Sequence, residues 1–420
     1  MTIASRQGHS DNPFSYAFWL GGIDPRPAAL FRIALGLTIL HDLLDLTRDL
    51  RAFLTDEGML PRGTFSGPYA WTCFDWVGSP LAVSALYAVG FGTVVAFTLG
   101  YATRAATIAT WLFVSSLHHR NNYVTDGGDD VVRILLFWSI FANLGAAYSV
   151  DARRAATRVI SVPALPVRIL QLQIAVLYFA AARLKFRLGW LHGDQIFYAL
   201  QLDGFARPPG TFLTRFPSLC RLATKAILGM EFLFAFAAFS PVAIRFSRTV
   251  AIALGLAIQL GILTTMRVGI FTEAMLSVVW LFVLPEWIDA AEAWARKRYR
   301  LATDARPSSV VESPRWRVAL NAFVLLQFVA AIWGVVAARR FPLPKVVARE
   351  IKLLDVEAKY SLFDVTYAIP RWEAPGLLAD GTPVEVLSVV APGAMPRGPN
   401  VRFSRWNKLT FKEREFPFYP

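Results

Sequence analysis

Lys185 sits in the run Tyr178-Phe-Ala-Ala-Ala-Arg-Leu-Lys185-Phe-Arg-Leu-Gly-Trp190, at the end of an apolar stretch. Tyr178 and Lys185 are seven residues apart, so on a helix they share a face. Ala181 and Ala182 lie between them and permit close packing of a neighbour. Burial disfavours an ammonium, and a lysine stripped of water can serve as a general base. The alternative is structural: Lys185, with Arg183 and Arg187, reaches for lipid headgroups. Glu231 poses the same choice. It lies in another apolar stretch and needs a proton or a cation, for which Arg183 or Lys185 stands at a matching depth. Such a pair serves either chemistry or the packing of two helices.

A second concentration of polar residues is Asn121-Asn122-Tyr-Val-Thr-Asp-Gly-Gly-Asp129-Asp130. Tight turns, and a helix cap from Asp129 or Asp130, account for most of it. A calcium loop would need a closing glutamate, which is absent. Arg133 lies one turn further on, and Asn143 and Gln259 lie deeper in apolar stretches. Each reads either as an interhelical hydrogen bond or as a polar group lining a cavity. Asp42 and Asp45 follow His41 at the end of the first apolar stretch. His118 and His119 are adjacent and point in different directions on a helix, so no metal pair is expected. Cys73 and Cys220 either form a disulfide in an oxidising compartment or stay separate buried thiols. P-loop, GxSxG, HExxH and CxxC motifs are absent.

Such residues need a scaffold, and composition identifies it. Of 420 residues, 55% are hydrophobic and 17% charged, against about 25% charged in a soluble domain. The 43 basic and 30 acidic residues give a net charge of +13. A disordered chain is excluded, and the expected class is an all-α polytopic membrane protein. About nine spans are expected: Pro27–Asp45, Ser79–Gly100, Thr103–Leu117, Asp130–Tyr148, Pro166–Leu184, Ala223–Ser240, Arg248–Met266, Val268–Pro285 and Arg317–Ala337. Glu273 interrupts the eighth. Residues 1–26 are then a cytoplasmic N-terminus without a signal-peptide core, and 27–337 the transmembrane domain. Residues 338–420 form a small β-rich extracytoplasmic module with a hairpin turn at Asp380-Gly381. Basic residues orient the set. Arg153, Arg154, Arg158 and Arg168, the run Arg296–Arg300, and Arg245 with Arg248 all fall on the side taken as cytoplasmic. The charge is thus a matter of topology. Membrane lipids are the expected partners, and no nucleic acid is needed. The stretch 185–222 breaks the bias, with Lys185, Arg187, Arg207, Arg215 and Arg221 on the outer side.

Four polar segments, Thr55–Arg62, Asn121–Asp130, Lys185–Gly193 and Met266–Glu273, all fall at the outer face, which implies a cavity opening there. In order along the chain, Arg32-Ile-Ala-Leu-Gly36, Thr55–Arg62, Arg120-Asn121…Gly127-Gly128-Asp129, Tyr178-Phe179…Lys185…Trp190…Gly193, Glu231 and Met266-Arg-Val-Gly269-Ile-Phe271 resemble the HTTM domain. That transmembrane domain is shared by vitamin K-dependent gamma-carboxylases and many bacterial relatives. The resemblance covers about Asp24 to Pro285 and suggests a bacterial-type member in the inner or plasma membrane.

The resemblance implies a membrane enzyme with an extracytoplasmic site that uses a reduced, vitamin K-like quinone and no metal. In the carboxylases a lysine deprotonates the quinol, and oxygenation then yields a strong base. That base takes a proton from a peptide glutamate, and the carbanion captures carbon dioxide. By position in its motif the lysine is Lys185. Tyr178, Asn121, Asn122, Asp129, Arg133, Trp190, Glu231 and Gln259 are the residues expected around it, at a cavity or quinone-binding site. The substrate would be a secreted peptide. Asn122 and Gln259 depart from the pattern, because animal carboxylases carry histidines there and neither amide relays a proton as histidine does. The tail is also shorter than the substrate-binding region of the animal enzymes. Two further readings remain: a non-carboxylating maturation or immunity factor for a secreted peptide, and a quinone- or lipid-binding protein without catalysis.

Overall fold

The computed structural model describes residues 12–63, 71–202, 205–300, 306–310, 316–336, 344–354, 375–377 and 383–385. In chain order the first elements are helix α1 (Tyr16–Leu20), strand β1 (Gly22–Ile23), and helices α2 (Arg26–Leu46), α3 (Leu50–Leu54), α4 (Pro80–Leu99), α5 (Thr103–Arg120), α6 (Gly127–Ser139) and α7 (Val150–Arg154). Strand β2 (Arg158–Pro163) leads into α8 (Leu165–Arg187), the short α9 (Gln195–Ala199) and α10 (Pro208–Leu213), then α11 (Pro217–Ala237) and α12 (Ile244–Thr265). Helices α13 (Phe271–Val279) and α14 (Pro285–Tyr299), strand β3 (Ser308–Val310), helices α15 (Trp316–Val336) and α16 (Lys345–Leu354), and strands β4 (Pro375–Leu377) and β5 (Pro383–Glu385) complete the order.

Local signals set the helix starts. Ser79 caps α4 and Pro80 opens it, Pro166 lies in the first turn of α8, and Pro285 opens α14. The cap of α6 is Asp126, not Asp129 or Asp130. Its carboxylate accepts the Gly128 N–H at 2.7 Å, and Asp129 reaches back to the Asp126 N–H at 2.7 Å.

Among the described residues, α4, α8 and α12 are long and apolar enough to cross a membrane. A fourth crossing results if Phe271–Phe282 and Pro285–Tyr299 count as one span. The nine expected spans are therefore met only in part. Helices α2 and α11 have 21 residues each, but α2 carries Arg26, Arg32, Asp42 and Asp45, and α11 carries Arg221, Lys225 and Glu231.

One expected span is broken. The fourth keeps helix only to Ser139, and residues 140–149 then turn around the guanidinium of Arg32. Arg32 is fully buried and donates to the carbonyls of Leu144 at 2.7 Å and Tyr148 at 2.6 Å. Carbonyls recruited this way are not available to a continued helix. The eighth, expected over Val268–Pro285, is helical from Phe271 to Phe282, and a 93° bend at its end leads into α14. Glu273, in the first turn of α13, is held by His41 of α2 at 2.8 Å.

One large apolar core runs through α2, α4, α5, α6, α8 and α13. A sheet that the all-α expectation did not contain lies before α8. There β2 pairs antiparallel with β1 and parallel with β3, joining segments far apart in sequence. The β-branched Val159, Ile160 and Val162 suit a strand. In the tail, β4 and β5 pair antiparallel on either side of the expected Asp380-Gly381 turn. That turn and most of residues 338–420 lie outside the described residues. Cys73 and Cys220 are unbridged thiols. Cys73 packs against the large core and Cys220 belongs to a small cluster beside α9.

Candidate active site

Helix α11 packs against both α8 and α12, and α13 closes on α12. Between them lies a cavity whose empty space, mouth included, is about 600 Å³. Its lining follows one rule. Helix α8 contributes Leu177, Tyr178, Ala181 and Lys185, and α12 with its end contributes Ile258, Gln259, Ile262 and Met266. Both sets have the spacing i, i+1, i+4, i+8, which is one helix face. Ile227 and Glu231 of α11, one turn apart, form the third wall. Ile196, Ala199, Trp190 and Phe271 close the end.

The polar groups come in two pairs. Lys185 Nζ donates to Glu231 Oε1 and makes the salt bridge between α8 and α11, with both side chains about 5% exposed. Lys185 also lies over the Trp190 ring, 5.0 Å from its centroid. Gly189 makes that contact possible. Its φ of +80° ends α8 in the left-handed region and turns the chain back so that Trp190 covers the lysine. In the second pair, Gln259 Nε2 donates to the Tyr178 hydroxyl at 3.0 Å. Tyr178 is fixed from behind by Phe234, whose ring centroid is 4.3 Å away.

Two buried acceptors in this cavity, Glu231 Oε2 and Gln259 Oε1, have no hydrogen-bond partner among the described residues. A buried acceptor left unmade costs roughly 1–3 kcal/mol. The arrangement therefore suits a ligand that brings donors to an otherwise apolar chamber. An aromatic ring bearing two hydroxyls would meet apolar side chains and two acceptors here.

Tyr178, Lys185, Trp190, Glu231 and Gln259 thus share one cavity. Asn121, Asn122, Asp129 and Arg133 do not line it. Asn121, fully buried, donates to the Phe53 carbonyl at 3.1 Å and accepts from the Tyr123 N–H. Asn122 is exposed and accepts from the Thr125 hydroxyl at 3.0 Å. Asp129 completes the capping box and faces His118 at 3.3 Å, while Arg133 holds Asp130 at 2.6 Å. Asn121, Asp129 and Arg133 are buried and form a polar layer beside the site, with Asn122 at its surface. Its link to the cavity is Gly128, where a Cβ would lie 2.6 Å from the Phe271 backbone nitrogen, so only glycine admits the segment carrying Phe271.

Of the four polar segments read from sequence, the second and fourth meet where Gly128 packs on Phe271. In the first, Asp56 pairs with Arg62 and lies 3.7 Å from Arg120, just before the second. Only the segments of Lys185 and Met266 supply lining residues. The apolar lining was not singled out from sequence, although the identical spacing on α8 and α12 was a signal for it. Among the described residues, no group of three or more His, Cys, Asp or Glu could hold a metal ion.

The family model for the HTTM domain matches residues 22–287, a stretch from β1 to the first turn of α14 that contains the whole cavity. No curated protein and no solved structure matches the chain.

Proposed function

The chain belongs to the HTTM-domain family, and from that premise we propose that it is a carboxylase-like membrane enzyme whose cavity takes the head group of a reduced quinone. The observation that carries this reading is the buried Lys185–Glu231 pair in an apolar chamber that also holds two acceptors without partners. When bound, a reduced quinone supplies two hydroxyl protons and the electrons for oxygen-dependent chemistry.

The residues of the chain divide the remaining work. Glu231 Oε2 and Gln259 Oε1 accept from hydroxyls, and Tyr178 holds the Gln259 amide in place. To take a proton from a bound hydroxyl, Lys185 must first pass one of its own to a base, and the Glu231 carboxylate it is paired with is in place to receive it. Trp190 and the isoleucines keep water away from the exchange. A peptide carbon acid at the extracytoplasmic face is the substrate that the family resemblance favours.

The test uses the full chain in nanodiscs, supplied with menaquinol or vitamin K hydroquinone, oxygen and bicarbonate. The wild type should consume the quinol faster than empty nanodiscs, and Lys185→Ala should fall to the blank while remaining folded. Full activity in Lys185→Ala would refute the assignment. One observation favours a second reading: Lys185 already has a carboxylate partner, as a helix-fixing ion pair would. A protein that binds the quinol but never exceeds the blank would be a quinone- or lipid-binding protein without catalysis.

A further inference from the structure

We propose that α14 is an interfacial helix that docks on the anionic lipid headgroups of one leaflet, at the end of the bundle away from the cavity. The cavity lies where α8 and α12 end and α13 begins. Helix α14 follows the other end of α13 and leaves it at 93°, nearly perpendicular to it. Its 15 residues span about 22 Å.

The two faces of α14 differ. One face is committed to the protein. Ile288 is buried, Asp289 holds Arg26 at 2.8 Å, Glu292 lies 3.5 Å from Arg26, and Glu286 pairs with Arg245 at the start of α12. The acidic residues of the helix are thereby used. The opposite stripe, Trp287, Ala291, Trp294 and Arg298, has the spacing i, i+4, i+7, i+11 and is exposed throughout. Trp287 is 43% and Trp294 64% exposed. Tyr299 is also exposed and touches Trp294 edge-on. Lys297, Arg298 and Arg300 are exposed around this stripe and have no acidic partner in a salt bridge among the described residues.

Exposed tryptophans with flanking lysine and arginine are what a bilayer boundary accepts, ring at the headgroup level and charge in the phosphate layer. The signature recurs on the same end of the molecule, where Arg154 lies over the exposed ring of Tyr101 at 5.1 Å. Charge complementarity then selects an anionic leaflet over a neutral one. A soluble acidic protein would match the charges but would leave two exposed indoles without an apolar environment.

The experiment compares the full chain in nanodiscs of phosphatidylcholine alone and of an equal mixture with phosphatidylglycerol. Tryptic cleavage after Lys297, Arg298 and Arg300 should slow at least ten-fold in the mixture, while cleavage after Arg215, at the other end, changes little. Lys297→Gln/Arg298→Gln/Arg300→Gln should lose roughly ten-fold in phosphatidylglycerol retained through detergent exchange. The control Arg183→Gln/Arg215→Gln should retain it. Equal cleavage in both lipids, or equal retention by the triple variant and wild type, would overturn the proposal. All five substituted residues are exposed, so folding is preserved, and the cleavage comparison needs no variant.

Discussion

Lys185 and Glu231 each appear in the sequence as a charge in apolar surroundings, and their meeting explains how both are tolerated. Removing one partner leaves the other buried and unpaired, at a cost of about 3–5 kcal/mol. Lys185→Ala alone therefore confounds stability with chemistry. The double replacement Lys185→Met/Glu231→Leu separates them. It should restore most of the thermal stability lost by either single variant, measured by unfolding in detergent, and none of the quinol consumption. Recovery of activity with stability would mean that the pair only joins α8 to α11. Gln259→Leu tests the acceptors. It should weaken binding of a reduced quinone roughly ten-fold, by removal of one hydrogen bond, and leave the oxidised form, which has no hydroxyls to donate, nearly unaffected. The seven-residue spacing of Tyr178 and Lys185 was enough to put them on one wall, and Glu231 was within reach of the same lysine by depth. Asn121, Asn122, Asp129 and Arg133 were expected at the cavity from the outer-face position of their polar run and its place in the family resemblance. Their side chains instead satisfy a carbonyl, a hydroxyl, a helix cap and an ion pair, needs that no residue pattern distinguishes from ligand binding.

Helices were legible where an apolar run was long, as in α4, α8 and α12, and misread where tertiary contacts compete for the backbone. Arg32 ends the fourth span early by taking carbonyls 112 and 116 residues away, and a hydropathy window cannot register this. Two joints test the account. Gly189→Val places a β-branched residue at φ +80°, at a cost of roughly 1–2 kcal/mol. It should unseat Trp190 from Lys185, detected as a change in tryptophan emission and a lower melting temperature. Asp151 is the second joint. Its carboxylate accepts from the Ala102 and Thr103 N–H groups at 2.9 and 2.7 Å and from the Thr103 hydroxyl at 2.6 Å, so it pins α7 to the start of α5. Burial pushes this carboxyl up, but the Thr103 and Ala102 hydrogen bonds and the charge of Arg32 outweigh it and hold the group below its ordinary range. A carboxyl lowered in the folded state adds stability above its unfolded value, about pH 4. That stability is lost as the pH falls through the folded value. Wild type should therefore melt above Asp151→Asn at pH 7, and the gap should close as the pH falls below about 4.

The net charge of +13 acquires a distribution when the whole molecule is considered. Arg153, Arg154, Arg245, Arg298 and Arg300 are exposed at the end carrying α7, α14 and the start of α12. The cavity lies toward the opposite end, with Ile196 and Ala199 of α9 in its wall. The basic excess at one end predicts that this end faces the cytoplasm and that the cavity opens outward. Two of the arginines at the cavity end are engaged locally. Arg221 is held by Asp194 at 2.9 Å, and Arg207 donates to the Met266 carbonyl at 2.9 Å. Arginines that fix a loop to the protein weigh less in orientation than those in short turns. Single cysteines read the topology in intact cells with a membrane-impermeant maleimide, against the background of Cys73 and Cys220. Gln201→Cys, in the exposed segment near the cavity mouth, should label without permeabilisation. Arg153→Cys should label only after it. The reverse pattern would invert the molecule and move the proposed quinol site to the cytoplasmic face. A secreted peptide would then no longer be the substrate, although the cavity and its acceptors would stand unchanged.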